Sequence, residues 1–192
     1  TGSYNTAIGD QALEANLANN NTAVGHYALN ANTTGVGNVS IGVYSLDANT
    51  TANYNTAIGY QSLKTLNAGQ NSGNTAVGER SGTALTTGVN NVAIGDRALM
   101  TADADAYNTA IGSGALSTQD AGTSTYNSAL GYNAGTNITT GTLNTLIGGL
   151  NGDAITTGGS NVGLGYFALT ADTQGSKSVA VGTAALGDQN FT

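Results

Sequence analysis

The side chains able to do chemistry in this chain are few and scattered. Its single histidine, His26, stands in a variable position just after a glycine. Nucleophilic catalysis needs a nucleophile, a base and an orienting group that converge. Nothing in the sequence pairs with His26, which therefore reads as a solvated corner residue. Asp103 and Asp105 form an acidic pair in the stretch from Thr101 to Ala106. Calcium loops need several oxygen ligands around a glycine turn, and calcium-binding nonapeptide repeats carry Asp in every unit. Here Asp recurs only loosely, as at Asp10 and Asp96. No catalytic, cofactor or metal site is expected, and the chain is read as no enzyme. Tyr27, Tyr44, Tyr60, Tyr132 and Tyr166 follow a recurring glycine by one or two residues. They predict a partial aromatic stripe stacked between neighbouring coils, with contact to a surface glycan as the alternative use. Acceptor triplets for N-glycosylation at Asn20, Asn32, Asn38, Asn49, Asn137 and Asn190 are expected by chance in so Asn- and Thr-rich a chain.

What positions these residues is a repeat. The pattern Asn-Thr-Ala-Ile-Gly recurs with its first position at Asn5, Asn21, Asn38, Asn55, Asn74, Asn91, Asn108, Asn127, Asn144, Asn161 and, as Ser, Ser178, in steps of 16 to 19 residues. Each copy continues through a small residue to a leucine in most units: Leu13, Leu29, Leu46, Leu63, Leu99, Leu116, Leu169 and Leu186. A loop rich in Thr, Gly, Asn and Ala follows and absorbs all the length variation. Helical repeats need some 33 to 47 residues per unit, so a unit of about 17 with a central glycine suits one coil of a β-solenoid. The expectation is an all-β, parallel β-solenoid of eleven coils forming a single repeat domain over residues 1–192, about 50 Å long at one coil per 4.8 Å.

Period-two alternation places Thr6 and Ile8 on one face and Ala7 on the other. The column Ile8, Val24, Ile41, Ile58, Val77, Ile94, Ile111, Leu130, Ile147, Leu164 and Val181 is apolar in every copy and is assigned to the core. The Thr6 column shares that inward face. The column Ala7, Ala23, Ala57, Ala76, Ala93, Ala110, Ala129 and Ala180, joined by Ser40, Leu146 and Gly163, is then the opposite face, where small residues admit the close approach of another chain or, as the alternative, of a second sheet of the same coil. Asn5, Asn21, Asn38, Asn55, Asn74, Asn91, Asn108, Asn127, Asn144 and Asn161 would form a ladder of stacked amides. Gly9 and its equivalents would turn the corner.

Composition narrows the function. The chain of 192 residues has 8% charged residues, 39% hydrophobic residues, no Pro and no Cys. Disordered segments combine low hydrophobicity with high net charge, so an ordered chain is expected. A net charge of −7 with only Lys64, Arg80, Arg97 and Lys177 as cations excludes a phosphate-binding stripe for nucleic acid. No apolar run approaches the length of a membrane span. No capping domain is recognised, and a second copy placed after Thr192 would continue the repeat with a step of 19 residues, a spacing the chain itself uses twice.

The units from Tyr54 to Leu63 and from Asn91 to Leu99 resemble the head repeats of trimeric autotransporter adhesins and the related repeats of phage tail-fibre proteins. The resemblance covers essentially the whole chain, although the adhesin unit is usually shorter. It implies a left-handed parallel β-roll, commonly trimeric, displayed outside the cell or on a virion and used for attachment. The expected partners are other copies of the chain, in a head-to-tail filament or a homotrimer. The first functional reading is a self-assembling extracellular fibre subunit, the second an adhesin head or tail-fibre shaft. Ice binding through a flat Thr array is weaker, because the Thr column is predicted to face inward.

Overall fold

The computed structural model describes residues 2–69 and 71–190. Its strands are three residues long: β1 (Thr6–Ile8), β2 (Thr22–Val24), β3 (Val39–Ile41), β4 (Thr56–Ile58), β5 (Thr75–Val77), β6 (Val92–Ile94), β7 (Thr109–Ile111), β8 (Ser128–Leu130), β9 (Thr145–Ile147), β10 (Val162–Leu164) and β11 (Val179–Val181). They form one parallel sheet in chain order. Equivalent positions of the repeat pair throughout, Ala76 with Ala93 and Val77 with Ile94 for example. The chain is a parallel β-solenoid, one rung per coil.

Each strand stops after three residues because a glycine follows it. Gly95 has φ +133°, and a Cβ there would lie 2.5 Å from the carbonyl carbon of Gly112 in the next coil. Backbone conformation and coil spacing both demand glycine at this corner. Beyond it the chain keeps bonding from coil to coil: Tyr27 N–H donates to Asp10 O at 3.0 Å, Leu13 N–H to Ala28 O at 3.1 Å and Leu17 N–H to Thr33 O at 3.0 Å. Backbone polar groups are thus paired around the coil without long strands.

The alternation is as expected but the faces are inverted. Ala23, Ala57, Ala76, Ala93, Ala110, Ala129 and Ala180 are buried, together with Ser40, Leu146 and Gly163. Ala7 shares their column and is exposed, in the first coil of the stack. The Ile8, Val24, Ile41, Ile58, Val77, Ile94, Ile111, Leu130, Ile147, Leu164 and Val181 column points outward, its members half-buried or exposed. The Thr6 column lies on that outer face too. In β6, Ala93 is 1% exposed and Ile94 37%. The physical reason is width. One short coil encloses a narrow interior, and the leucines of the opposite turn, Leu29, Leu46, Leu63, Leu99, Leu116 and Leu169, already fill it. A close-packed interior has room for only a small residue across from them.

Those leucines sit at positive φ, 48° at Leu63 and 52° at Leu99 for instance. Left-handed backbone costs about 1–2 kcal/mol, which full burial of a Leu side chain, worth about 1.5–3 kcal/mol, offsets. In three coils Gly82, Gly135 and Gly152 replace the leucine, and a buried apolar residue three positions on, Leu85, Ile138 or Ile155, takes over the filling. A Cβ on Gly135 would lie 3.0 Å from methyl carbons of Ile138, Leu116 and Leu146. Gly135→Leu is accordingly expected to destabilise by about 1–3 kcal/mol through overpacking. Ile138→Ala leaves a cavity and should also destabilise. The double variant recreates the Leu99 and Ala102 pairing of another coil, so in denaturant titration it should lose less stability than the two singles summed.

Along the other edge of the strands runs a continuous ladder of asparagines. Each Oδ1 accepts the backbone N–H of the equivalent residue in the next coil, from Asn21 N–H on Asn5 at 2.8 Å to Ser178 N–H on Asn161 at 2.9 Å. In the regular coils each Nδ2 donates to a carbonyl three residues before that equivalent, as from Asn91 to Asp105 O at 2.8 Å. The two 19-residue coils preserve the ladder by another device: the Ser72 hydroxyl donates to Asn55 Oδ1 at 2.9 Å and the Thr125 hydroxyl to Asn108 Oδ1 at 2.8 Å.

Candidate assembly face

The inversion leaves one face of the sheet uncovered among the described residues. Its first column is Thr6, Thr22, Val39, Thr56, Thr75, Val92, Thr109, Ser128, Thr145, Val162 and Val179, and its second is the Ile8 column. Neither contains a charged residue. Successive rungs stand about 4.8 Å apart and the two columns about 7 Å apart, so the face is a strip of about 48 Å. With side chains included it covers on the order of 500 Å², at the upper end of the largest apolar patch on a typical monomer.

Aromatic residues border the strip on both sides. Tyr54, Tyr107 and Tyr126 precede the ladder asparagines and are exposed, the last two stacked with ring centroids 5.0 Å apart. Tyr60, Tyr132 and Tyr166 follow the corner glycines and are exposed as well. In β4 the run from Tyr54 to Tyr60 therefore presents Tyr54, Thr56, Ile58 and Tyr60 outward, with Asn55 and Ala57 buried between them. Of the tyrosines grouped from sequence as one stripe, Tyr27 and Tyr44 are half-buried and pack on each other at 5.4 Å. The aromatic border at Tyr54, Tyr107 and Tyr126 was not anticipated; its signal was a tyrosine directly before the repeat asparagine.

Elsewhere the titratable groups do not converge. His26 is partly exposed, with Nε2 3.4 Å from Asp10 Oδ2. Asp103 is exposed and accepts a hydrogen bond from the Thr86 hydroxyl, whereas Asp105 is buried and accepts the Ala121 N–H at 3.1 Å. Burial pushes the Asp105 carboxyl above its ordinary pKa, and the bonds from Ala121 and Gln119 only partly oppose this. The acidic pair thus points into two environments and does not act as one site. Among the described residues no three of His, Cys, Asp and Glu gather closely enough to hold a metal ion. Of the glycosylation triplets, Asn32, Asn38 and Asn49 are buried, while Asn20 and Asn137 are exposed. No helix of the described residues is long and apolar enough to cross a membrane.

No family model matches the chain, and no curated protein or solved structure matches it either.

Proposed function

We propose that the chain is a structural, non-enzymatic segment of an extracellular fibre, whose rods associate side by side through the Thr and Ile columns. What supports this is the pairing of a fully packed Ala and Leu interior with an uncharged outer strip in which Ile8, Leu130, Leu164 and Val181 remain exposed. An exposed, uncharged strip of this extent with a continuous apolar column is often functional. Contact between parallel rods along this strip suits closed cyclic symmetry, and three rods around a common axis would bury the columns of all three. A stable interface needs about 800 Å² per partner, which the two columns approach only with the flanking tyrosines included. Such a fibre suits attachment at a cell surface or on a virion.

Sedimentation velocity tests this reading. The expected wild-type species is a discrete multiple of the 18.9 kDa chain. Ile94→Glu combined with Ile111→Glu should sediment as one chain with an unchanged circular dichroism spectrum, since each Glu would bring an unpaired carboxylate into the contact. A wild-type chain that stays monomeric at all concentrations contradicts the proposal.

One observation favours a second reading: the Thr column lies on the surface, with Thr22, Thr56, Thr75, Thr109 and Thr145 half-buried on a regular lattice. An array of that kind could order water and bind ice. Val39, Val92, Val162 and Val179 interrupt it, which suits chain contact better. Thermal hysteresis by a monomeric wild-type chain would reverse this preference.

A further inference from the structure

Two residues past each corner glycine, successive coils carry Gln61, Arg80, Arg97, Gly114, Asn133 and Leu150. Gly114 is the only residue of this column without a side chain, and its neighbour Ser113 is also short. The row of side chains is therefore broken at one coil, leaving a cavity of about 230 Å³. Asp96 and Arg97 wall it on one side, Tyr132 and Asn133 on the other, and Met100 and Ser117 also line it. The walls belong to coils two steps apart, about 9.6 Å.

We propose that this notch is a subsite for one unit of a neutral sugar, a use that goes beyond side-by-side assembly and does not depend on it. The space is smaller than the roughly 300–1,000 Å³ of a site for drug-sized ligands. Tyr132 offers a broad apolar ring, exposed to solvent, against which the C–H face of a pyranose can lie. The opposite wall holds an ion pair, Arg97 Nη1 to Asp96 Oδ2 at 3.5 Å, with both side chains about half exposed. Together with the Asn133 amide, this pair presents donors and acceptors of both kinds, which is what vicinal hydroxyls require. The pair is neutral overall and so gives an anion or a cation no advantage. A purely aromatic ligand would leave the polar groups unpaired and lose affinity for that reason. A single shallow subsite binds weakly, and several rods in one fibre would gain strength by multivalency.

The test is saturation-transfer NMR with methyl galactoside and methyl glucoside as probes, on wild-type chain and on Gly114→Gln. Glutamine is native to this column at Gln11 and Gln61, with φ 55° and 56° against 70° at Gly114. The added Cβ would overlap Asn133 Oδ1, so the flexible Asn133 side chain has to swing away from Gly114 as the variant folds and fills the notch. Transfer to pyranoside ring protons is expected in the wild type, with affinity at least tenfold weaker in Gly114→Gln at an unchanged circular dichroism spectrum. If Gly114→Gln fails to fold, Tyr132→Ala at an exposed position takes its place, with the same loss expected. Absence of transfer from the wild type, transfer unaltered in the folded variant, or stronger binding of sialic acid than of either neutral probe overturns the proposal.

Discussion

Asn91→Ala should lower the unfolding free energy by about 2–5 kcal/mol, because it leaves several buried polar groups without partners. Asn91 Oδ1 accepts both the backbone N–H of Asn108, at 2.9 Å, and its side-chain Nδ2, at 3.2 Å. Asn91 Nδ2 donates to Asp105 O at 2.8 Å and to Asn74 Oδ1 at 3.2 Å. All four residues are buried, so water cannot substitute without opening the coil. A solenoid is held together by contacts between neighbouring coils, so the lesion should concentrate at the fifth to seventh rungs. Denaturant titration reads the total, and hydrogen exchange should show lost protection at the Asn108 amide. Thr87→Ala, on an exposed loop, should stay within about 0.5 kcal/mol of wild type. An Asn91→Ala chain as stable as Thr87→Ala would mean that the ladder is not what joins these coils.

The neighbouring residues of β7 should respond in opposite ways to the same substitution. Ala110→Asp places a carboxylate at a fully buried position in the apolar cluster that includes Leu99 and Leu116. An unpaired buried charge costs several kcal/mol, a large part of the about 5–15 kcal/mol that stabilises a folded domain. That variant is expected to unfold at room temperature or to be recovered only as aggregate. Ile111→Asp alters a half-buried residue on the outer face and should keep the fold while weakening association. Circular dichroism melts of the two proteins separate the cases, and the reverse ranking would restore the face assignment expected from sequence.

That assignment shows how far the chain's residues reveal its fold. The recurring Asn and Gly, the step between copies and the apolar alternation define a parallel solenoid, its rungs and its corners. They define the parity of inward and outward positions too. Which parity faces inward was not legible from hydrophobicity, because Ile outranks Ala on any scale while the width of the coil decides. A signal was nevertheless present. Where the Ala column changes to Leu146, the leucine of the turn is Gly135 in the coil before and Gly152 in its own coil, and a Cβ added at either glycine would lie within 3.0 Å of a Leu146 methyl. Compensation of this kind belongs to an interior. The Ile8 column varies freely among Ile, Val and Leu with no matching change elsewhere. Asp105 was equally hidden: sequence shows an Asp pair, and only the coil geometry turns one carboxylate inward and the other to solvent.

The most direct test of the assembly face is cross-linking through single introduced cysteines, since the chain has none of its own. Ile94→Cys lies in the outer column of β6, and Thr118→Cys lies on an exposed turn six residues beyond a corner glycine. Under mild oxidation Ile94→Cys should give covalent dimers at concentrations where Thr118→Cys remains reduced. Equal cross-linking of the two, or cross-linking of Thr118→Cys alone, would contradict association through the Thr and Ile columns.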